Sequence, residues 1–461
     1  MIAWQSTPFL YTDTFTQKVE DYLLVYNPLS EKGITVLNKE AYFLFNLVDG
    51  KQTVWQIFEE AKKVDPNVDF NQIKKIFLDF EEAEIVYFDK PKIKKTNLLK
   101  KPKKLEVWFH ITNQCNLRCT YCYVWKTTEK MNFELAKKSI KKIIDDAKKN
   151  GFKKILFKFA GGESILELKN ILNLVDFARE LGKNKEMELD FVLLSNGVLI
   201  SEKVAKILKE KDLRVAVSLD GLEKYNDLQR VFPSGLGSFK FVEQGIENLL
   251  KAKVHFNITV TITKKNVENI PELTSYLLKR NIPFAFNFYR ENPYVSEELE
   301  GDDKKLVFFL KKAYQIIYNN PPPYRIIDGL LDRVSFRKPH LYTCGVGQNY
   351  IVLKHDGKIV PCQMLLDKPI GSIDDKDVIN TMKKTNSKSL KNLSVSKKSP
   401  CRQCQWRYIC CGGCPLLTFS QKGGYTLNSP YCAVYKALIP EVLKIEAKRL
   451  IKYGGITVNP Q

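Results

Sequence analysis

The chain has little histidine, too few acids for its bases, and no long apolar run. Its four histidines, His110, His255, His340 and His355, do not cluster in the sequence, and His110 reads as a core residue. No stretch reaches the ~18 uninterrupted apolar residues of a membrane-spanning helix, so no membrane partner is expected. The first residues, Met1-Ile2-Ala3-Trp4-Gln5, lack a basic-then-apolar export pattern, and a cytoplasmic location is the expectation. No arginine–aromatic nucleic-acid module is visible. The net charge of +21 is therefore read as a lysine-rich solvated surface, with no nucleic-acid partner expected.

The acid deficit is uneven. Residues 1–89 carry 8 Lys/Arg and 15 Asp/Glu, a net of −7, which leaves +28 on residues 90–461. What the chain does have is cysteine, eleven in all. Disulfides belong to oxidising compartments, so metal sites are the better account of that number.

The central stretch is Asn113-Gln114-Cys115-Asn116-Leu117-Arg118-Cys119-Thr120-Tyr121-Cys122. Cys115, Cys119 and Cys122 stand in a C-x3-C-x2-C spacing behind the apolar run Leu105–Ile111. Three thiolates on one tight loop can hold three irons of a [4Fe–4S] cluster and leave the fourth free to bind a reacting ligand. From residue 105 to about 290 strand and helix patterns alternate. The strand candidates are Leu105–Ile111, Lys154–Phe159, Leu189–Leu194, Leu213–Leu219, His255–Ile262 and Phe284–Phe288. That alternation predicts a parallel sheet with crossover helices, an α/β fold in the form of a partial (β/α)6 TIM-type barrel. Such barrels put their chemistry at the C-terminal ends of the strands. Ala160-Gly161-Gly162-Glu163, Ser195-Asn196-Gly197, Ser218-Leu219-Asp220-Gly221 and Arg230 all fall there.

A second cysteine group follows at Cys344, Cys362, Cys401, Cys404, Cys410, Cys414 and Cys432, with Cys411 left over. The first 89 residues read as a small winged-helix-like α+β unit. Strand candidates Tyr22–Tyr26, Ile34–Leu37 and Ile85–Phe88 flank three helices, capped by Asn38, by Thr53 with Gln56, and by Asp69. Residues 90–104, rich in lysine with two prolines and no acid, read as a basic linker. Residues 105–320 then form the barrel and 321–461 a cysteine-rich C-terminal domain.

These motifs resemble the radical S-adenosylmethionine peptide maturases that carry a SPASM extension with twin auxiliary clusters and an N-terminal leader-peptide-binding domain. The resemblance implies three [4Fe–4S] clusters and S-adenosylmethionine as cofactors. It places the radical-generating cluster on Cys115, Cys119 and Cys122, and the S-adenosylmethionine contacts at Tyr121, Gly161, Gly162, Glu163, Ser195, Ser218, Asp220 and Arg230. Cys401, Cys404, Cys410 and Cys432 would close an outer auxiliary cluster, and Cys344, Cys362 and Cys414 would hold an inner one. The implied partners are a precursor peptide with a leader sequence and an electron donor of flavodoxin or ferredoxin type. The implied reaction is crosslinking of that peptide by a 5′-deoxyadenosyl radical, a thioether being favoured over a carbon–carbon or carbon–oxygen bond. A sulfatase-maturase-like formation of formylglycine is the first alternative. That subgroup carries an aspartate base after its Pro-Cys pair, where this chain has Gln363 after Pro361-Cys362. The second alternative is a non-catalytic iron–sulfur module that only binds peptide.

Overall fold

The structure, a computed structural model, describes residues 5–88, 98, 102–295, 298–384 and 389–454. Most of the expected basic linker lies outside the described residues. The body is a nine-stranded sheet in the order β11-β10-β9-β8-β7-β6-β12-β13-β14. Its first six members by sequence are β6 (Lys104–Thr112), β7 (Lys154–Gly161), β8 (Glu188–Ser195), β9 (Arg214–Ser218), β10 (Phe256–Ile262) and β11 (Phe284–Phe288). All five pairings among these six are parallel, and each strand lies within two residues of the stretch expected from sequence.

Alternate positions of a strand face opposite sides, and one side of these strands is apolar: Leu105, Val107, Phe109, Phe157, Phe159, Val215 and Val217 are all fully buried. The crossover helices bury single apolar faces. In Phe133–Lys149 that face is Ala136, Ile140, Ile143, Ile144 and Ala147.

The C-terminal domain is joined to the barrel more closely than a boundary at residue 320 implies. Strand β12 (Tyr350–Leu353) pairs in parallel with β6. Strands β13 (Lys358–Val360) and β14 (Gly371–Ser372) continue the sheet antiparallel. One apolar core runs from the barrel into the long final helix, Cys432–Tyr453.

The N-terminal unit follows its expected pattern. Strands β2 (Phe15–Val19), β3 (Tyr22–Tyr26) and β4 (Ile34–Leu37) form an antiparallel sheet. Helices α1 (Lys39–Asn46), α2 (Val54–Val64) and α3 (Phe70–Glu82) follow. Asn38 caps α1, and Thr53 with Gln56 and Asp69 with Gln72 form capping boxes on α2 and α3. Strand β2 was not legible in the sequence, because Thr16, Gln17 and Lys18 break any apolar alternation. A short β1 (Pro8–Leu10) pairs with β5 (Val86–Phe88) and ties the ends of the unit together.

The sheet of this unit is buried on both faces. Leu23, Val25 and Leu37 pack with α1–α3 in a separate core. Val19, Leu24, Tyr26, Ile34 and Val36 belong to the core of the body, where β2–β4 lie against the final helix. The unit thus has a core of its own and also covers an apolar face of the C-terminal domain.

Candidate functional site

A cavity of about 530 Å³ opens at the C-terminal ends of the parallel strands. Cys115, Cys119 and Cys122 all line it, so the fold brings together the three thiols that the spacing singled out. Their loop is held from two sides. Arg118 N–H donates to the Val231 carbonyl at 2.7 Å and Thr120 N–H to that of Gln229 at 2.8 Å. On the other side Gly162 N–H bonds Thr112 O and Glu163 N–H bonds Gln114 O, both at 2.7 Å. This approach is why both glycines are needed. A Cβ on Gly161 would sit 2.2 Å from Thr112 O, and one on Gly162 would sit 2.1 Å from Gln114 O. Burial pushes the Cys119 thiol up to about 12; Arg230 opposes the rise, while Cys122 and Cys115 add to it. A bound iron removes that proton by coordination. Lys126 Nζ donates to Cys122 Sγ at 3.0 Å.

Of the eight expected S-adenosylmethionine contacts, Tyr121, Gly161, Gly162, Ser195, Ser218 and Arg230 are on the cavity wall. Glu163 and Asp220 are not among its lining residues, and both are fully buried. Their carboxylates accept hydrogen bonds from the protein. Glu163 accepts from Ser195 Oγ at 2.8 Å, Asn196 N–H at 2.7 Å and Ile165 N–H at 3.0 Å. Asp220 accepts from Tyr121 Oη at 2.5 Å and Thr261 N–H at 2.7 Å, with Arg230 at 3.4 Å. Tyr121 Oη in turn accepts from Arg230. These two acids position the wall residues. Asp220→Ala is expected to destabilise the fold by about 3–5 kcal/mol, because it strands the buried Arg230 charge. Equilibrium denaturation measures this, and a loss below about 1 kcal/mol refutes the bracing role.

Ser164, at the position where the resembling family has proline, is buried, and its hydroxyl donates to the Leu194 carbonyl. The turn is thereby fixed by a hydrogen bond to β8.

Seven of the eight later cysteines divide between two further cavities. Cys401, Cys404, Cys410 and Cys432 line one of about 260 Å³. Cys344, Cys362 and Cys414 line another of about 380 Å³. Among the described residues no three His, Cys, Asp or Glu side chains converge on a single ion; a four-iron cluster asks instead for one thiolate per iron. Cys411 is committed elsewhere. It is buried, its Sγ donates to His340 O at 3.1 Å, and it packs with Val395 and Cys401.

Residues 109–277 match the model of the radical SAM superfamily, and residues 344–405 match the SPASM iron–sulfur cluster-binding domain. The GTP 3′,8-cyclase of Helicobacter pylori is 31% identical over 304 residues, 62% of this chain and 88% of that protein. This chain belongs to the radical SAM superfamily. The cysteine-type anaerobic sulfatase-maturating enzyme of Clostridium perfringens is 28% identical over 345 residues, 70% of this chain and 91% of that protein. The solved structure of native anSMEcpe with bound AdoMet and a Cp18Cys peptide superposes with a TM-score of 0.62 at 25% identity. It covers 76% of this chain and 99% of that one.

As a radical SAM protein with a SPASM domain, the chain uses S-adenosylmethionine and iron–sulfur clusters. Its main cavity fits that pair. Three thiols share one wall with the glycine pair Gly161–Gly162 and with Arg230, so iron ligands, open backbone and a cation that suits a carboxylate border the same space.

Several wall residues had escaped the sequence reading. Asn257, Thr259 and Thr261 line the cavity from alternate positions of β10, and Asn287 does so from β11. Their signal was present: polar residues at every second position of an otherwise apolar strand mark a face turned to a wet lumen. Arg290 and Arg333, from the stretch after β11, also line the cavity. Arg290 pairs with Asp332 at 2.5 Å. Burial raises the Cys414 thiol, but Arg290 and Arg333 outweigh it and hold the thiol below its usual range. Local sequence carries no sign of that approach.

His110 is a core residue, as its sequence context suggests. His110 and His355 are neighbours, with ring centroids 6.2 Å apart, and Asn113 bridges them. His110 is fully buried, and burial brings its pKa down to about 4. The unfolded chain, titrating near 6.5, then binds more protons than the folded one between those two values. Stability from this residue is complete above about pH 6.5 and falls by roughly 3 kcal/mol as pH drops to about 4. His110→Gln is expected to flatten that part of the stability–pH curve, as read by urea melts at several pH values.

Proposed function

We propose that this chain modifies a ribosomally made precursor peptide, forming an intramolecular crosslink in which a thioether is favoured. The observation that carries this reading is the three-thiol inner set. Cys344, Cys362 and Cys414 line a cavity that shares Trp108, Lys158, Arg333 and Gln363 with the main one. Cys411, the spare thiol, is turned away to His340 O. An inner cluster on three thiolates has room for a sulfur from outside the protein, within reach of the main cavity.

In this reading Cys115, Cys119 and Cys122 hold the radical cluster. Cys401, Cys404, Cys410 and Cys432 hold a second cluster, and the inner set a third. When bound, the radical cluster and S-adenosylmethionine supply a 5′-deoxyadenosyl radical able to take hydrogen from an unactivated carbon. The chain's own residues orient and screen. Arg230 offers a guanidinium to the carboxylate end of S-adenosylmethionine, with Tyr121 and Asp220 fixing its angle. Gly161 and Gly162 allow close backbone approach. Asn257, Thr259 and Thr261 supply neutral donors and acceptors for the nucleoside end. Lys126, Lys158, Arg290 and Arg333 make the wall basic, with no carboxylate among the lining residues.

The N-terminal unit, which precedes the matched superfamily region, is proposed to bind the leader. It resembles domains that add a peptide strand to a sheet edge, and its three-stranded sheet has such edges at β2 and β4. The proposed electron donor is of flavodoxin or ferredoxin type.

Formylglycine formation is the second reading, supported by the similarity to the sulfatase-maturating enzymes. Gln363 weighs against it. It lies on the main cavity wall and accepts from Tyr350 Oη at 2.7 Å, and an amide does not take a proton at neutral pH. Anaerobic incubation of reconstituted enzyme with a leader-bearing cysteine peptide separates the two. Loss of two hydrogens with a thiol masked to alkylation supports the crosslink. An aldehyde captured by a hydrazine probe supports formylglycine and overturns the crosslink.

A further inference from the structure

The side of the cysteine loop away from the cavity carries an apolar patch that the reactions above do not use. Residues 231–237 form a tight hairpin, closed by the Val231–Gly237 bridge and by Phe232 N–H on Leu236 O at 2.8 Å. This hairpin and residue 229 before it are the elements bonded to Arg118 and Thr120 of the loop. Leu228 is 49% exposed, Leu236 61% and Phe241 45%. Phe232 and Phe241 stack edge to face with centroids 5.2 Å apart. None of these four side chains lines the cavity. Single exposed leucines are ordinary, but several together beside one functional loop mark an interaction surface. The exposed charges around them are mainly basic: Arg118, Lys224 and Lys240 against Glu223. Arg118 also bonds Cys115 O and Leu117 O, both at 2.9 Å, so its charge sits against the cysteine loop itself.

We propose that this patch is the docking surface of a small acidic one-electron carrier protein, whose apolar cofactor rim meets Leu228, Leu236 and Phe241 inside a basic border. The inference rests on the proposed radical chemistry, in which each cleavage of S-adenosylmethionine consumes one electron. The carrier supplies that electron and is itself oxidised by one. Electron tunnelling falls steeply with distance, and this hairpin is hydrogen-bonded to the loop that bears the three thiols. An apolar centre with a charged border is also the usual anatomy of a transient interface, and opposite charge mainly speeds encounter.

The test uses full-length reconstituted enzyme with reduced flavodoxin as the carrier and dithionite as a small reductant that needs no docking. The variant Leu228→Glu/Leu236→Glu places acids in the patch at exposed positions; Val64→Glu, 69% exposed on α2, is the surface control. Flavodoxin affinity by calorimetry and flavodoxin-driven cleavage are both expected to fall at least about tenfold in the double variant, about 1.4 kcal/mol in binding. Dithionite-driven cleavage and iron content stay at the wild-type level, and wild-type affinity weakens with added salt. Unchanged affinity and unchanged flavodoxin-driven cleavage overturn the proposal. So does a change of oligomeric state in sedimentation with no change in flavodoxin affinity, which makes the patch a contact between copies of this chain. If dithionite supports no cleavage in the wild type, the radical reading fails, and the calorimetry still decides whether the patch binds the carrier.

Discussion

Cys119→Ala is expected to abolish reductive cleavage of S-adenosylmethionine while the C-terminal cysteine sets keep their iron. Cys119 shares the cavity wall with Arg230, Cys115 and Cys122, and its thiol feels the charge of all three. The loop is pinned at Thr112, Gln114, Arg118 and Thr120, so another group has no freedom to swing in for the missing thiol. The rate should fall by at least about 100-fold, since loss of a mere partner of a metal ligand already costs roughly 10–100-fold. Cys401, Cys404, Cys410, Cys432, Cys344, Cys362 and Cys414 lie in other cavities, and their iron should remain by quantitation and spectroscopy. Release of 5′-deoxyadenosine at the wild-type rate would refute the assignment of the radical cluster to this loop.

Removal of residues 1–88 is expected to cost the body its stability as well as peptide processing. The sequence alone suggests a detachable unit, with its own core, opposite charge and a basic linker. In the structure Val19, Leu24, Tyr26, Ile34 and Val36 are part of the main core. Burying such side chains is worth about 1.5–3 kcal/mol each, so the shared face is worth on the order of 10 kcal/mol, comparable with a whole domain's stability. Asp13 also pairs with Arg407, and Phe15 stacks on Trp406 at 5.1 Å, beside the outer cysteine set. The helix that carries the uncovered face begins at Cys432, a member of that set. The truncated protein should therefore melt well below the wild type, exchange amide hydrogens rapidly over 432–453 and lose iron. Wild-type melting and full iron in the truncation would show that the shared face contributes little. Leader binding is better tested on the intact enzyme by comparing peptides with and without the leader.

The sequence by itself determined the elements and the chemistry that is local. Caps at Asn38, Thr53 and Asp69 are legible because a helix start depends on a few neighbouring residues. The six barrel strands are legible because apolar runs of that length between helical patterns have few other uses. The convergence of Cys115, Cys119 and Cys122 on one cavity wall is legible because a short spacing keeps three thiols on one loop. Even Asn257, Thr259 and Thr261 had a readable period. Tertiary structure decided whatever depends on residues far apart in the chain. Leu23 and Leu24 look alike in Tyr22–Tyr26, yet they enter two different cores, because alternate positions of a strand face opposite sides and only the docked partners say what covers each. The local sequence around Glu163 and Asp220 does not say which protein groups they meet. Folding surrounds them with Ser195, Asn196, Tyr121, Thr261 and Arg230, and a buried carboxylate is held by whichever donors packing brings to it. Arg290 and Arg333 reach Cys414 for the same reason: charges in a low-dielectric interior settle beside opposite charge wherever the fold allows the approach.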